Sequence, residues 1–179
     1  SDKVIEKQIK FSTECFQKSI PQYGSCWGIQ LAALVVGCKT RHCIKSREQG
    51  IARRIRTKNS SILYKNKPDI FDGFVSHNDE IYSLNSHIKV ISENNHCIQG
   101  IEVRYKNSIF WGTQYHPEYN FDDMSKLLIL RKQKCVNMEN KDIYQLSYDL
   151  KNINKSISWK IGIFDDLLND EVRELELKN

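Results

Sequence analysis

The run GSCWGIQ, Gly24 to Gln30, sets a thiol between two glycines where an extended segment runs into an apolar helical one. Gly24 and Gly28 flank Cys26 at two residues on either side, the spacing of a nucleophile elbow with sulfur in place of oxygen. A cysteine at a helix N-terminus is expected to have a lowered pKa, and the Trp27 N–H would face an oxyanion formed on a substrate. A second run, WGTQYHPEY, puts His116 at the end of an apolar strand, with Pro117 restricting the backbone and Glu118 two residues on. A thiol, an imidazole and a carboxylate can together move a proton from the nucleophile to a leaving amine, the carboxylate fixing the imidazole tautomer. The thiol and the imidazole lie far apart in sequence, so only folding can join them.

The elements that would position them follow from periodicity. Residues 4–18 fit an amphipathic helix, apolar at Ile5, Ile9 and Phe16 and, one step round, at Val4, Phe11 and Cys15. A short strand up to Ser25 and a buried helix, Trp27 to Val36, closed by Gly37, come next. Strands are predicted at Gly50 to Arg56, Ser61 to Tyr64, Phe74 to His77, Lys89 to Ser92, Cys97 to Tyr105 and Ile109 to Tyr115, with KNKPD, SHNDE and ENNH as loops. Helices are predicted at Asp122 to Arg131, Lys141 to Lys151 and Asp165 to Glu176. This pattern predicts an α/β domain with reactive groups at the carboxyl ends of its strands.

Composition narrows the function classes. At 179 residues the chain has single-domain length. A net charge of +5 could signal nucleic acid, but the basic clusters at Lys39 to Arg47, Arg53 to Lys58 and Arg131 to Lys134 fall in different elements among apolar residues. They are read as solvated surface, with no nucleic-acid partner. No apolar run reaches membrane-spanning length and the start has no apolar signal core, which points to a cytoplasmic protein. Cysteines 15, 26, 38, 43, 97 and 135 form no CxxC pair, and the histidines lack zinc-finger spacing, so no metal is expected. His42, His87 and His96 are read as surface residues, His77 as a structural or loop histidine, and Asp79 and Glu80 as solvated turn charges.

Together, GSCWGIQ and GTQYHPE resemble the paired signatures of the class I, triad-type, glutamine amidotransferases. REQGIARRI, FVSHNDEIYSL and the aromatic run into His116 extend the likeness in the family's order over roughly Ile20 to Tyr119. It is nearest to stand-alone, GMP-synthase-like members, whose tails also contain a segment like SWKIGIFDD. The resemblance implies a doubly wound, flavodoxin-like mixed sheet flanked by helices, with an amidotransferase domain over 1–119 and its C-terminal helical part over 120–179. It implies a glutaminase that forms a γ-glutamyl thioester and releases ammonia, with Cys26 as nucleophile, His116 as base and then acid, and Glu118 as orienting carboxylate. Gln30 matches a substrate-contacting glutamine, and Trp27, Ser76, His77, Asn78 and Asp79 match the segments that hold the amino-acid end of glutamine. No cofactor is implied. No P-loop is present, so a synthetase that activates the ammonia acceptor would be either another chain or absent, with ammonia simply released. The alternatives are hydrolysis of a different γ-glutamyl amide and a non-catalytic module of the same fold. The family carries further β/α units and a glycine pair supplying a second oxyanion donor before its nucleophile strand. With only 25 residues ahead of Cys26, the domain is expected to be incomplete at its N-terminus and to expose apolar sheet edges.

Overall fold

The structure, a computed structural model, describes residues 2–45, 47–58, 60–132 and 147–148. Apart from 147–148, the helices predicted over 141–151 and 165–176 lie outside the described residues. Helix α1, Asp2–Gln17, buries Ser12, Cys15 and Phe16 and leaves Val4 and Phe11 exposed, so only part of its expected apolar face meets the core. Strand β1, Gln22–Ser25, leads into α2, Trp27–Val35, whose Ile29, Ala32 and Ala33 are fully buried. Gly37, at φ +83°, takes the left-handed turn that ends this helix at no steric cost.

The remaining strands are β2 Lys39–His42, β3 Glu48–Thr57, β4 Ile70–His77, β5 Asp79–Ser83, β6 Ile88–Glu93, β7 Ile98–Tyr105 and β8 Ser108–Thr113. Five of them join β1 in one mixed sheet in the order β1-β8-β7-β6-β3-β4, and β2 pairs with β5 in a separate two-stranded sheet. Among the described residues only β1 and β8 run parallel, with Ser25 opposite Thr113; the other pairs are antiparallel. Cys26 and His116 therefore follow the carboxyl ends of neighbouring parallel strands. Among the described residues β1 is an edge strand, paired only with β8.

Two expectations fail locally. Ser61 to Tyr64 is no strand but a 3₁₀ turn, Ile62–Tyr64, in which the Ser61 hydroxyl accepts from the Leu63 N–H at 3.4 Å. A serine that satisfies the turn's first amide competes with extended pairing. SHNDE is not all loop either: β4 runs through His77 and β5 begins at Asp79, pairing with β2. The polar sequence KTRH of β2 carries no alternation, so this small sheet left no apolar signal.

Among the described residues the core has three parts. Phe16, Ile29, Ala33, Ile101, Val103 and Phe110 fill the space between α1, α2 and one sheet face. Ile55, Phe71, Val75, Ile91 and Tyr115 form a second cluster. Helix α3, Phe121–Leu130, starts at a reciprocal cap between Asn120 and Asp123 and packs Phe121, Met124 and Leu128 against Phe74 of β4. The result is a curled mixed sheet flanked by helices. No described helix is long and apolar enough to cross a membrane.

Candidate active site

The ladder of β1 extends one residue past the strand, where the Cys26 N–H donates to the Thr113 carbonyl at 2.8 Å. At Cys26 the chain turns abruptly into α2 with φ 50° and ψ −101°, a conformation that costs a non-glycine residue on the order of 1–3 kcal/mol. Gly24 makes this turn possible: a Cβ there would lie 2.9 Å from the Gly28 Cα and 3.2 Å from the Phe110 ring. A Cβ on Gly28 would meet nothing within 4 Å, so the motif's steric demand falls on its first glycine alone. Burial first of all pushes the Cys26 thiol above the ordinary thiol range, and Glu118 adds to this; the Trp27 N–H, Arg131 and Arg47 pull the other way without reversing it. The lowered pKa expected from the helix terminus is thus corrected by desolvation.

His116 is pinned by its own backbone, its N–H donating to the Phe74 carbonyl at 2.7 Å. Its ring is 11 % exposed, donates from Nδ1 to Glu118 Oε1 at 2.7 Å and stacks on Tyr119 with centroids 4.3 Å apart. The Ser25 hydroxyl donates to the same carboxylate oxygen at 3.0 Å. Burial raises the Glu118 pKa, but the bonds from His116, its own backbone and Ser25 outweigh it and hold the carboxyl below its usual range. With Nδ1 engaged as a donor, Nε2 is the basic atom of the ring.

The third wall is the β4–β5 corner. The Ser76 carbonyl lies 4.0 Å from Cys26 Sγ. Gln30 is buried and spends its amide nitrogen on the frame, donating to the Asp79 carbonyl at 2.8 Å and to Gln114 Oε1 at 3.0 Å. His77 is also buried, with Nε2 at 2.9 Å from Glu48 Oε2 and Nδ1 at 3.1 Å from the Asp79 carbonyl, so it locks the corner. Asn78 is exposed and accepts from Arg47 at 3.0 Å. Trp27 is 37 % exposed, its indole N–H tied to Gln8 of α1 at 2.8 Å. Glu80 is not a solvated turn charge, being buried and paired with Arg41 at 2.8 Å, whereas the Asp79 side chain stays 43 % exposed and meets the exposed His42 at 2.6 Å. His42 and His87 are exposed, as expected, whereas His96 is half-buried with its ring edge-on to His77.

Sequence reasoning missed Ser25, Tyr119, Arg47, Gln49 and Arg131. The first two adjoin the motifs and could have been found by asking what else reaches Glu118 and the imidazole. The arginines sit in clusters read as solvated surface, and only the fold turns them inward. Among the described residues one group, Glu48, His77 and Cys97, has metal-capable atoms all within 4.8 Å of one another. Its carboxylate is already satisfied by His77, Asn94 and Gln99, at 2.9, 2.8 and 2.8 Å, which makes it a hydrogen-bonded lock.

A family model described as glutamine amidotransferase class-I matches residues 1–133. The chain belongs to this family. Among curated relatives, a gamma-glutamyl-L-1-hydroxyisopropylamide hydrolase from a Pseudomonas species is 31 % identical over 128 residues, covering 68 % of this chain and 43 % of its own. A glutamine-hydrolyzing GMP synthase from Fusobacterium nucleatum is 33 % identical over 132 residues, covering 70 % of this chain and 25 % of its own. The chain thus spans less than half of either relative. One subunit of a glutamine-hydrolyzing GMP synthase from Methanococcus vannielii is 25 % identical, with 70 % and 65 % coverage. The same fold occurs in a crystal structure of a glutamine amidotransferase from Thermotoga maritima, with TM-score 0.69, 19 % identity, and coverage of 97 % of this chain and 70 % of that one.

Proposed function

We propose that the chain hydrolyses the side-chain amide of glutamine through a cysteinyl thioester, with Cys26, His116 and Glu118 as the catalytic triad. The observation that carries this is the pairing of a strained thiol after β1 with a His–Glu dyad after its parallel neighbour β8. His116 Nε2 takes the thiol proton as Sγ bonds to the amide carbon, and returns it to the departing nitrogen, which leaves as ammonia. Because burial keeps the thiol protonated at rest, proton transfer accompanies attack. The Trp27 N–H faces the sulfur and is the donor available to the developing oxyanion. Water, deprotonated by the same imidazole, then releases glutamate from the thioester. Gln30 and the Ser76 to Asp79 backbone shape the pocket for the amino-acid end of the substrate.

Ammonia release from glutamine, followed by coupled glutamate dehydrogenase, tests this. Release that disappears with Cys26→Ala supports the proposal, and release unchanged by that substitution refutes it. A second reading, hydrolysis of an N-substituted γ-glutamyl amide, is favoured by the named activity of the Pseudomonas relative. Faster turnover of γ-glutamyl alkylamides than of glutamine would select it. The Methanococcus relative, itself one subunit of a GMP synthase, supports delivery of ammonia to a separate synthetase chain.

A further inference from the structure

Ser25 ends β1 and immediately precedes the strained turn at Cys26, while Glu118 follows the carboxyl end of β8, two residues past His116. The Ser25 hydroxyl donates to Glu118 Oε1 at 3.0 Å, the same oxygen that accepts from His116 Nδ1 at 2.7 Å. One carboxylate oxygen thus joins the segment that carries the thiol to the segment that carries the base. Their backbones are hung from different strands: the Cys26 N–H is held by the Thr113 carbonyl of β8, and the His116 N–H by the Phe74 carbonyl of β4. Any shift of β4 against β8 would pass into the spacing of sulfur and imidazole unless a bond spans the two segments.

Glu118 needs such a restraint. Its long side chain is 47 % exposed, so with the imidazole as its one partner water would compete for the carboxylate and the chain would change rotamer. A second donor on the same oxygen opposes that exchange. Alternation puts Tyr23 and Ser25 on one face of β1, and Tyr23 shares a hydrogen bond with Thr113 Oγ1 at 2.8 Å, which steadies this face. Burial first of all raises the pKa values of Tyr23, Cys26 and Tyr119, and the Glu118 charge adds to each, so these groups face the carboxylate beside His116 and Ser25. We propose that Ser25 is a positioning residue: its hydroxyl straps Glu118 to the nucleophile turn and, through Glu118, holds the His116 ring in the tautomer and orientation for proton exchange with Cys26. This rests on the triad proposed above and adds a fourth side chain to it. Serine suits the role because its short side chain carries one hydroxyl that rotates to its acceptor.

The test is a double-mutant cycle read by ammonia release from glutamine. Ser25→Ala should lower kcat about tenfold, the worth of a hydrogen bond to a charged group, with KM within about twofold of wild type. Ser25→Thr, which keeps the hydroxyl, should restore most of the loss. In a Glu118→Ala background, adding Ser25→Ala should cost less than about twofold, because no carboxylate remains to be held. An unchanged kcat in Ser25→Ala overturns the proposal, as does an equal loss in both backgrounds, which would mark a role independent of Glu118. Should Ser25→Ala not fold, Ser25→Thr beside Ser25→Val, which differ in the hydroxyl, decides in its place. A second readout needs no turnover: the His116 Nδ1 proton resonance, assigned by its loss in His116→Gln, should exchange with water several-fold faster in Ser25→Ala. A resonance absent from wild type, or an unchanged exchange rate, overturns the strap. A wild-type chain that releases no ammonia yet shows the faster exchange in Ser25→Ala would refute the glutaminase and leave the strap standing.

Discussion

The two glycines of GSCWG should respond oppositely to the same substitution. In Gly24→Ala the new Cβ would lie 2.9 Å from the Gly28 Cα and 3.1 Å from its carbonyl carbon, whereas ordinary contact starts at 3.4 Å. The obstacle is backbone, so α2 must move off β1 by about 0.5 Å, an overpacking that costs roughly 1–3 kcal/mol. For a chain of this length each kcal/mol lowers Tm by about 2–4 °C. The same shift carries the Trp27 N–H and Cys26 off position, and turnover should fall about tenfold or more. In Gly28→Ala the new methyl meets nothing within 4 Å, and replacing a helical glycine gains a few tenths to about 1 kcal/mol. Thermal melts of both variants beside wild type, with ammonia release from each, provide the assay. Equal destabilisation of the two, or an unshifted melt for Gly24→Ala, would refute the assignment of the steric demand to Gly24.

Other outcomes follow from the site and its supports. His116→Gln should lower ammonia release by about 10² to 10⁴-fold while leaving the melt near wild type, read in the same coupled assay. Glu118→Gln removes a carboxylate that raises the Cys26 pKa, so the midpoint of the thiol's pH-dependent alkylation should move down even as turnover drops. Glu48→Gln weakens the buried hydrogen bonds from His77, Asn94 and Gln99 and should cost roughly 1–3 kcal/mol in urea unfolding. Burial raises the Glu48 pKa, but the bonds from His77 and Asn94 prevail and lower it below that of a free carboxylate. Its stabilisation is therefore present above the unfolded value near ~4.3 and lost as pH falls through the lower folded one. Wild-type stability should decline over that acid window, and the Glu48→Gln variant should lack this component.

Much of the site was legible because its parts are local. The elbow requires residues within four positions of one another, and His116 meets Glu118 two residues away, so composition and spacing carry both. Helix α2 and strand β8 were equally readable from dense apolar runs. Short polar strands were not: β2 and the start of β5 form by pairing with each other, and pairing leaves no mark on a single segment. The basic clusters misled for the same reason, since charge alone does not say which way a side chain faces.

The sequence by itself picked out Cys26, His116 and Glu118 as the candidate triad and carried the family likeness, because these rest on short-range backbone geometry. Tertiary structure decided what surrounds them. It sets β1 parallel to β8, brings the Ser76 carbonyl to the thiol, seats Ser25 on Glu118 and gathers Arg47 and Arg131 onto one hydroxyl. It also raised the Cys26 pKa where the helix terminus predicted a fall, because desolvation depends on everything packed around the sulfur and on no single neighbour in the chain.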